Sequence, residues 1–230
     1  MARKDPLAHL HRFPDGAPGR LRDEILALGP AALPGLLALV QADGAATPGT
    51  PAHAAAINAA SLYGRLGQAD ALPVLLDLVA IAPLDGPLQA AAMFGVLAID
   101  DRDAVTDAIL ARTFSDEREP YALELLARAG RRDPAVAARI VAMLDRFPRL
   151  GAQLASAYAD PALLPALRAT FDGLSFPTRM GELDAETAIL VLESIFVLAG
   201  SDTEDRGRQG RLRAALQISI EGHGEDLARR

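Results

Sequence analysis

The 230-residue chain has no cysteine, no tryptophan and a single lysine, Lys4, and only 4% of its residues are aromatic. Without cysteine there are no disulfides, thiol nucleophiles or cysteine-ligated metals. Tryptophan is equally missing as a platform on which a nucleobase could stack. A net charge of −7 and a pI near 5.1 disfavour nonspecific nucleic-acid binding, although a local basic patch is still allowed. No long hydrophobic run is present either. The most apolar stretch, 188–199, is too short to span a bilayer and is interrupted by Glu193 and Ser194. The first ten residues carry positive charge but no apolar signal-peptide core, so a soluble cytoplasmic protein is expected.

What the chain does have is alanine and leucine in abundance within a 50% hydrophobic composition. That bias favours helix, and the length allows a sizeable core in one domain or one continuous array. The organising stretch is 51–79, which reads as two helices, about 52–66 and 71–80. Gly67 is placed to end the first in a left-handed cap. Asp70 is placed to cap the second, with Pro73 in its first turn.

Upstream, 20–28 closed by Gly29 and 31–41 with Pro34 repeat this unit. Leu28 and Gly29 match Leu66 and Gly67, and Leu33 and Pro34 match Leu72 and Pro73. A third unit pairs 87–99 with 104–114 across Asp100, Asp101 and Asp103. The fourth pairs 121–129, stopped at Gly130, with 134–147 after Asp133. The fifth pairs 151–159 with 161–171 after Asp160. Aligning second helices on Leu33, Leu72, Val105, Val136 and Leu164 gives steps of 39, 33, 31 and 28 residues. Two helices in each such period predict an all-α, right-handed α-solenoid of about five helical pairs.

Four segments are expected: a loose lead-in at 1–19, with a short helical turn near Leu7, the array at 20–172, a loop at 173–183, and capping helices at 184–230. Helix 185–199 is apolar on almost every face, so it is expected to be buried nearly all round. Residues 212–220, with Leu212, Leu216 and Ile220 at four-residue spacing, are expected to fold back as its cap, bracketed by Gly207, Gly210, Gly222 and Gly224.

The stretch from Ala59 through Gly67, Asp70 and Pro73 to Leu76 resembles the HEAT-repeat family, particularly its short bacterial variety. The resemblance spans roughly 20–172. Ala56 and Gln68 depart from it where such repeats often carry arginine and aspartate, interrupting any ladder of those pairs. The resemblance implies a noncatalytic protein-binding scaffold with a protein partner and no cofactor, and a homodimer is compatible with it. The competing reading is an enzyme or enzyme subunit of the HEAT-like type, a phycobilin lyase or DNA-glycosylase relative. Function is set by sites grafted on a fold, so these readings turn on particular residues.

Of the histidines His9, His11, His53 and His223, none stands three or four residues from another, so a helical metal pair is missing and surface positions are expected. No adjacent His-Glu pair is present of the kind by which HEAT-like deoxyhypusine hydroxylases hold iron. A Gly-x-Ser-x-Gly elbow and a phosphate loop are missing too. Asp100, Asp101, Asp103, Asp107, Asp116, Glu117, Glu119 and Glu124 gather at predicted turns and helix starts, where carboxylates cap and complement the dipole.

Arginine supplies the candidate surface. Arg139 and Arg146 stand seven apart on the second helix of unit four, and Arg132 continues the spacing. In HEAT arrays second helices line the concave side, so this stripe is the expected partner-binding site. The alternative is a solvated face neutralised by nearby acids. A second set, Arg206, Arg208, Arg211 and Arg213, is diluted by Asp202, Glu204 and Asp205.

Overall fold

The computed structural model describes residues 5–42, 45, 47–174, 182–199 and 203–228, with backbone alone at 182–183, 203–204 and 218–228. Every regular element among them is helical. The α-helices are α1 (Gly19–Leu26), α2 (Leu33–Val40), α3 (Pro51–Gly67), α4 (Leu72–Ile81), α5 (Pro87–Leu97), α6 (Arg102–Leu110), α7 (Glu119–Ala129), α8 (Pro134–Arg146), α9 (Pro148–Tyr158), α10 (Leu164–Gly173), α11 (Glu182–Ala199) and α12 (Thr203–Ala228). Contacts divide the chain into two units, Met1–Arg131 and Arg132–Arg230. Most of the predicted loop at 173–183 lies outside the described residues. No single helix among the described residues is long and apolar enough to cross a membrane.

The first unit is built on α3, which packs against α2 and α5. Half of its buried residues are alanine, Ala54, Ala55, Ala56, Ala59 and Ala60, and small side chains let neighbouring backbones come close. At the crossing with α5 even a methyl is too large. A Cβ on Gly64 would fall on the Gly95 backbone, and one on Gly95 would lie 2.6 Å from the Ala60 carbonyl oxygen.

Three of the helices begin alike. α2, α4 and α10 each follow a 3₁₀ turn, at Gly29–Ala32, Gln68–Ala71 and Pro161–Leu163, and each opens with Leu-Pro. The turn runs straight into the helix and takes up part of its first turn of N–H donors, which corrects the expectation for Asp70. That residue sits inside the Gln68–Ala71 turn, and α4 has no side-chain cap. The left-handed cap expected at Gly67 is also displaced. Gly67 is helical (φ −83°, ψ −13°) and Gln68 makes the reversal at φ 48°. The glycine serves space instead, since a Cβ there would meet the Ala71 Cβ at 3.1 Å and Leu33 at 3.4 Å. The cap expected at Gly130 is present, with φ 80°.

In the described part of the lead-in, residues 5–19, the helical turn expected near Leu7 is present, and it is docked rather than loose. Residues Pro6–Arg12 form a 3₁₀ helix against α3. Asn58, buried on α3, secures this turn and the chain leaving it. Its Nδ2 donates to the carbonyls of Leu10 (3.1 Å), Phe13 (2.7 Å) and Ala54 (2.9 Å). Its Oδ1 accepts from Ala17 N–H at 2.5 Å. Apolar packing alone would leave those backbone groups stranded.

The second unit repeats the close crossing with different residues. A Cβ on Gly151 of α9 would lie 2.5 Å from the Leu144 backbone on α8. Asp133 caps α8 through Ala135 N–H at 2.8 Å, and Asp160 caps the turn before α10 through Ala162 N–H at 3.0 Å, both as expected. α11 packs on α9, α10 and α12. It buries Ala188, Val191, Leu192 and Ile195 but leaves Val197 63% and Ile189 37% exposed, so it is not covered all round.

α12 does lie against α11 with Leu212 buried and Leu216 half-buried, while the Ile220 side chain lies outside the described residues. The glycines expected to bracket this helix lie within it. Its main fastening is ionic. Asp205, fully buried, accepts from Arg168 of α10 (3.2 and 2.7 Å) and from Arg208 (2.8 Å). Arg208 in turn grips Asp172 of α10 through two bonds of 3.1 and 2.7 Å, and Arg211 reaches Asp172 at 2.5 Å while lying over the Phe171 ring. Three members of the charge cluster named from the sequence, Asp205, Arg208 and Arg211, thus join Arg168 and Asp172 in a relay of alternating charges between two helices.

Candidate functional site

The turn before α5 and the start of α7 set the geometry of a groove in the first unit. Asp85, at φ 55°, presents its N–H to Gln89 Oε1 at 2.8 Å and its carboxylate to the Tyr121 hydroxyl at 2.5 Å. The bond to Asp85 holds the Tyr121 proton and raises its pKa above the ordinary phenol value. Desolvation and the Asp85 charge push the same way, and the Arg118 charge opposes them. Between α5 and α7 lies a cavity of about 270 Å³ lined by Ala90, Met93, Phe94, Leu97 and the Glu124–Arg128 pair, whose charges meet at 2.9 Å.

Phe94 is 63% exposed at this groove. The floor is polar at one point: Gln89 is buried and its Nε2 has no hydrogen-bond partner among the described residues. Because Oε1 is taken by the Asp85 N–H, the amide orientation is fixed and Nε2 is a donor lacking an acceptor.

The expected arginine stripe lies in the second unit. Arg132 donates through Nη1 to the Tyr158 carbonyl and through Nη2 to that of Ala159 at 2.6 Å, with its guanidinium 5.2 Å from the Tyr158 ring centre. Ala159 is left-handed (φ 53°), so Arg132 binds carbonyls at the reversal that ends α9. Arg139 is half-buried along α8, and Arg146 is exposed at its end, 5.1 Å from the ring centre of the exposed Phe147.

Several other candidates resolve into structural roles. Asp101 caps α6 through Ala104 N–H, and Asp103 and Asp107 pair with Arg131 at 3.7 and 2.7 Å. Gln68 makes a neutral link: it donates to the Arg65 carbonyl and accepts from Asp100 N–H. His53 is 6% exposed, contrary to the surface position expected. It follows the Thr50 cap of α3 and turns inward, with Nδ1 2.5 Å from the Ala45 carbonyl. His11 is exposed, and the His223 side chain lies outside the described residues. Among the described residues no three His, Cys, Asp or Glu side chains come together as a metal site.

Sequence reasoning missed the Phe94 groove because Phe94 reads as one more apolar residue in a helix that is apolar all round. Its signal would have been a bulky side chain facing away from the Ala91, Ala92 and Val96 face. Comparison with known proteins finds no matching family model, curated protein or solved structure.

Proposed function

We propose that this chain is a noncatalytic binding protein, a HEAT-like array of helical pairs that holds a protein partner. The observation that carries the reading is the exposed Phe94 beside the cavity between α5 and α7. A partner segment that sets an apolar side chain against Phe94 and Met93 would meet hydrogen-bonding groups at Tyr121 and Asp85 and a neutralised charged edge at Glu124 and Arg128. Buried aromatic anchors ringed by polar contacts are the usual carriers of interface energy. The recurring Leu-Pro starts of α2, α4 and α10 support the repeat character.

In the second unit, taken by itself, Arg139 and Arg146, with Arg132 adding positive charge near the start of α8, offer a surface for an acidic segment. The test is affinity capture from source-cell extract with the wild type and Phe94→Asp, read by quantitative mass spectrometry. A protein held by the wild type should fall at least about tenfold with Phe94→Asp while the circular dichroism spectrum stays the same. An unchanged capture profile would overturn the groove as the docking site.

A further inference from the structure

A second groove of the first unit, about 410 Å³, lies where the lead-in, the loop before α3 and the start of α5 meet. Its most informative lining residue is His53. Nδ1 faces the Ala45 carbonyl, which can only accept, so Nδ1 carries a proton in either charge state of the ring. In the neutral ring Nε2 is therefore an acceptor. It has no partner among the described residues, although the side chain is more than nine-tenths buried. The described side-chain nitrogen or oxygen that is both sealed from solvent and unpartnered is Gln89 Nε2 alone, so the free edge of His53 opens on the groove it lines.

Opposed groups line the groove, two helix N-termini and the His11 imidazole against the Asp15 carboxylate, so it favours neither sign of charge. Pro51 and Pro87, the first residues of α3 and α5, mark those N-termini, whose positive potential disfavours a cation. The Asp15 carboxylate on the same wall disfavours an anion. A neutral ligand is left, and it must supply a hydrogen-bond donor to Nε2. The walls supply the shape: the pyrrolidine rings of Pro14, Pro48, Pro51 and Pro87 together with Ile57 form rigid apolar faces suited to a flat ring.

We propose that this groove binds a phenol, its ring among the prolines and its hydroxyl donating to His53 Nε2. The phenol could be a free small molecule or a tyrosine side chain of a peptide. The site is separate from the Phe94 groove, and failure of either leaves the other standing.

The test titrates the whole protein with p-cresol and toluene while following the His53 ring nitrogens by NMR. Saturable p-cresol binding with a shift at Nε2, and toluene weaker by about tenfold, is the expected result, since toluene offers no donor. His53→Phe should abolish the preference, bringing p-cresol and toluene to equal affinity. Should that variant fail to fold, the wild-type Nε2 shift still decides. N-acetyltyrosinamide binding as tightly as p-cresol would assign the ligand to a peptide; binding tenfold weaker would assign it to a free phenol. Equal affinity of the wild type for toluene and p-cresol, tighter binding of benzylamine or benzoate, or the absence of saturation would each overturn the proposal.

Discussion

The first described segment of the first unit and the start of α12 in the second are tied down in different ways. In the first unit the lead-in is held to α3 by one buried neutral amide, Asn58, which serves backbone groups at Leu10, Phe13 and Ala17. In the second, α12 is held to α10 by five charged side chains, Arg168, Asp205, Arg208, Asp172 and Arg211. The difference stems from what each segment offers. The lead-in carries prolines that break regular structure and leave backbone groups unpaired, which a side-chain amide can satisfy in both directions. α12 has few apolar residues with which to bury itself, so charge complementarity on α10 supplies the specificity. A neutral latch is insensitive to acid, whereas an ionic one is not.

The largest expected effect is at Asp205. Asp205→Ala removes a fully buried carboxylate and takes one partner from each of Arg168 and Arg208, the latter keeping Asp172, at a cost of about 3 kcal/mol, the lower end for a broken buried pair, if unfolding is cooperative. Denaturant titration reads this as a lower midpoint, and hydrogen exchange should place the added opening in α12 and α10. Asn58→Leu comes next. It fills a similar space but leaves Ala17 N–H and the Leu10 and Phe13 carbonyls without their partner, at about 1–3 kcal/mol for each group that water cannot reach. Exchange should then rise in residues 5–17 and leave α12 alone.

Gly64→Ala tests the close crossing of α3 and α5 in the first unit. Its methyl must push α3 off the Gly95 backbone, at about 1–3 kcal/mol, seen as a lowered melting temperature. The smallest effect is that of acid on the ionic latch. Hydrogen bonds from Arg208, then Arg211, hold the Asp172 pKa below its ordinary value against the opposing effect of desolvation. A depressed folded pKa contributes stability above the unfolded value, about 3.9, that is lost as pH falls from there through the folded value. Exchange in α12 should therefore quicken over that range, relative to its intrinsic rate, while residues 5–17 do not follow. Asp172→Asn should remove the pH response.

Helix positions were largely legible in the sequence because alanine, leucine and proline placement speaks locally. Asp101, Asp133 and Asp160 cap where expected, and Gly130 ends α7. The errors arise where tertiary contact overrules a local signal. Gly67 looks like a cap, yet it is needed for room against Ala71 and Leu33. Asp205 and Arg208 look like solvated charges, yet both are buried because their partners come from a helix more than thirty residues away. Asn58 and His53 sit in an alanine-rich helix whose pattern says which face is buried but not that lead-in and loop carbonyls wait there. Of the candidate site, the arginines were visible as spacing. The Phe94 groove was not, since a groove needs two helices and the sequence shows one at a time.

The two proposed surfaces also differ in charge, an exposed aromatic beside an apolar groove and a set of arginines, so salt separates their contributions in a single experiment. Capture of the partner by wild type, Phe94→Asp and Arg139→Glu is compared at low and raised salt. Phe94→Asp should lose the partner at both salt concentrations, because apolar contact is not screened. Arg139→Glu should weaken capture at low salt and approach the wild type as salt rises, because exposed charge pairs are screened. Capture by both variants equal to that of the wild type at low salt would contradict the account.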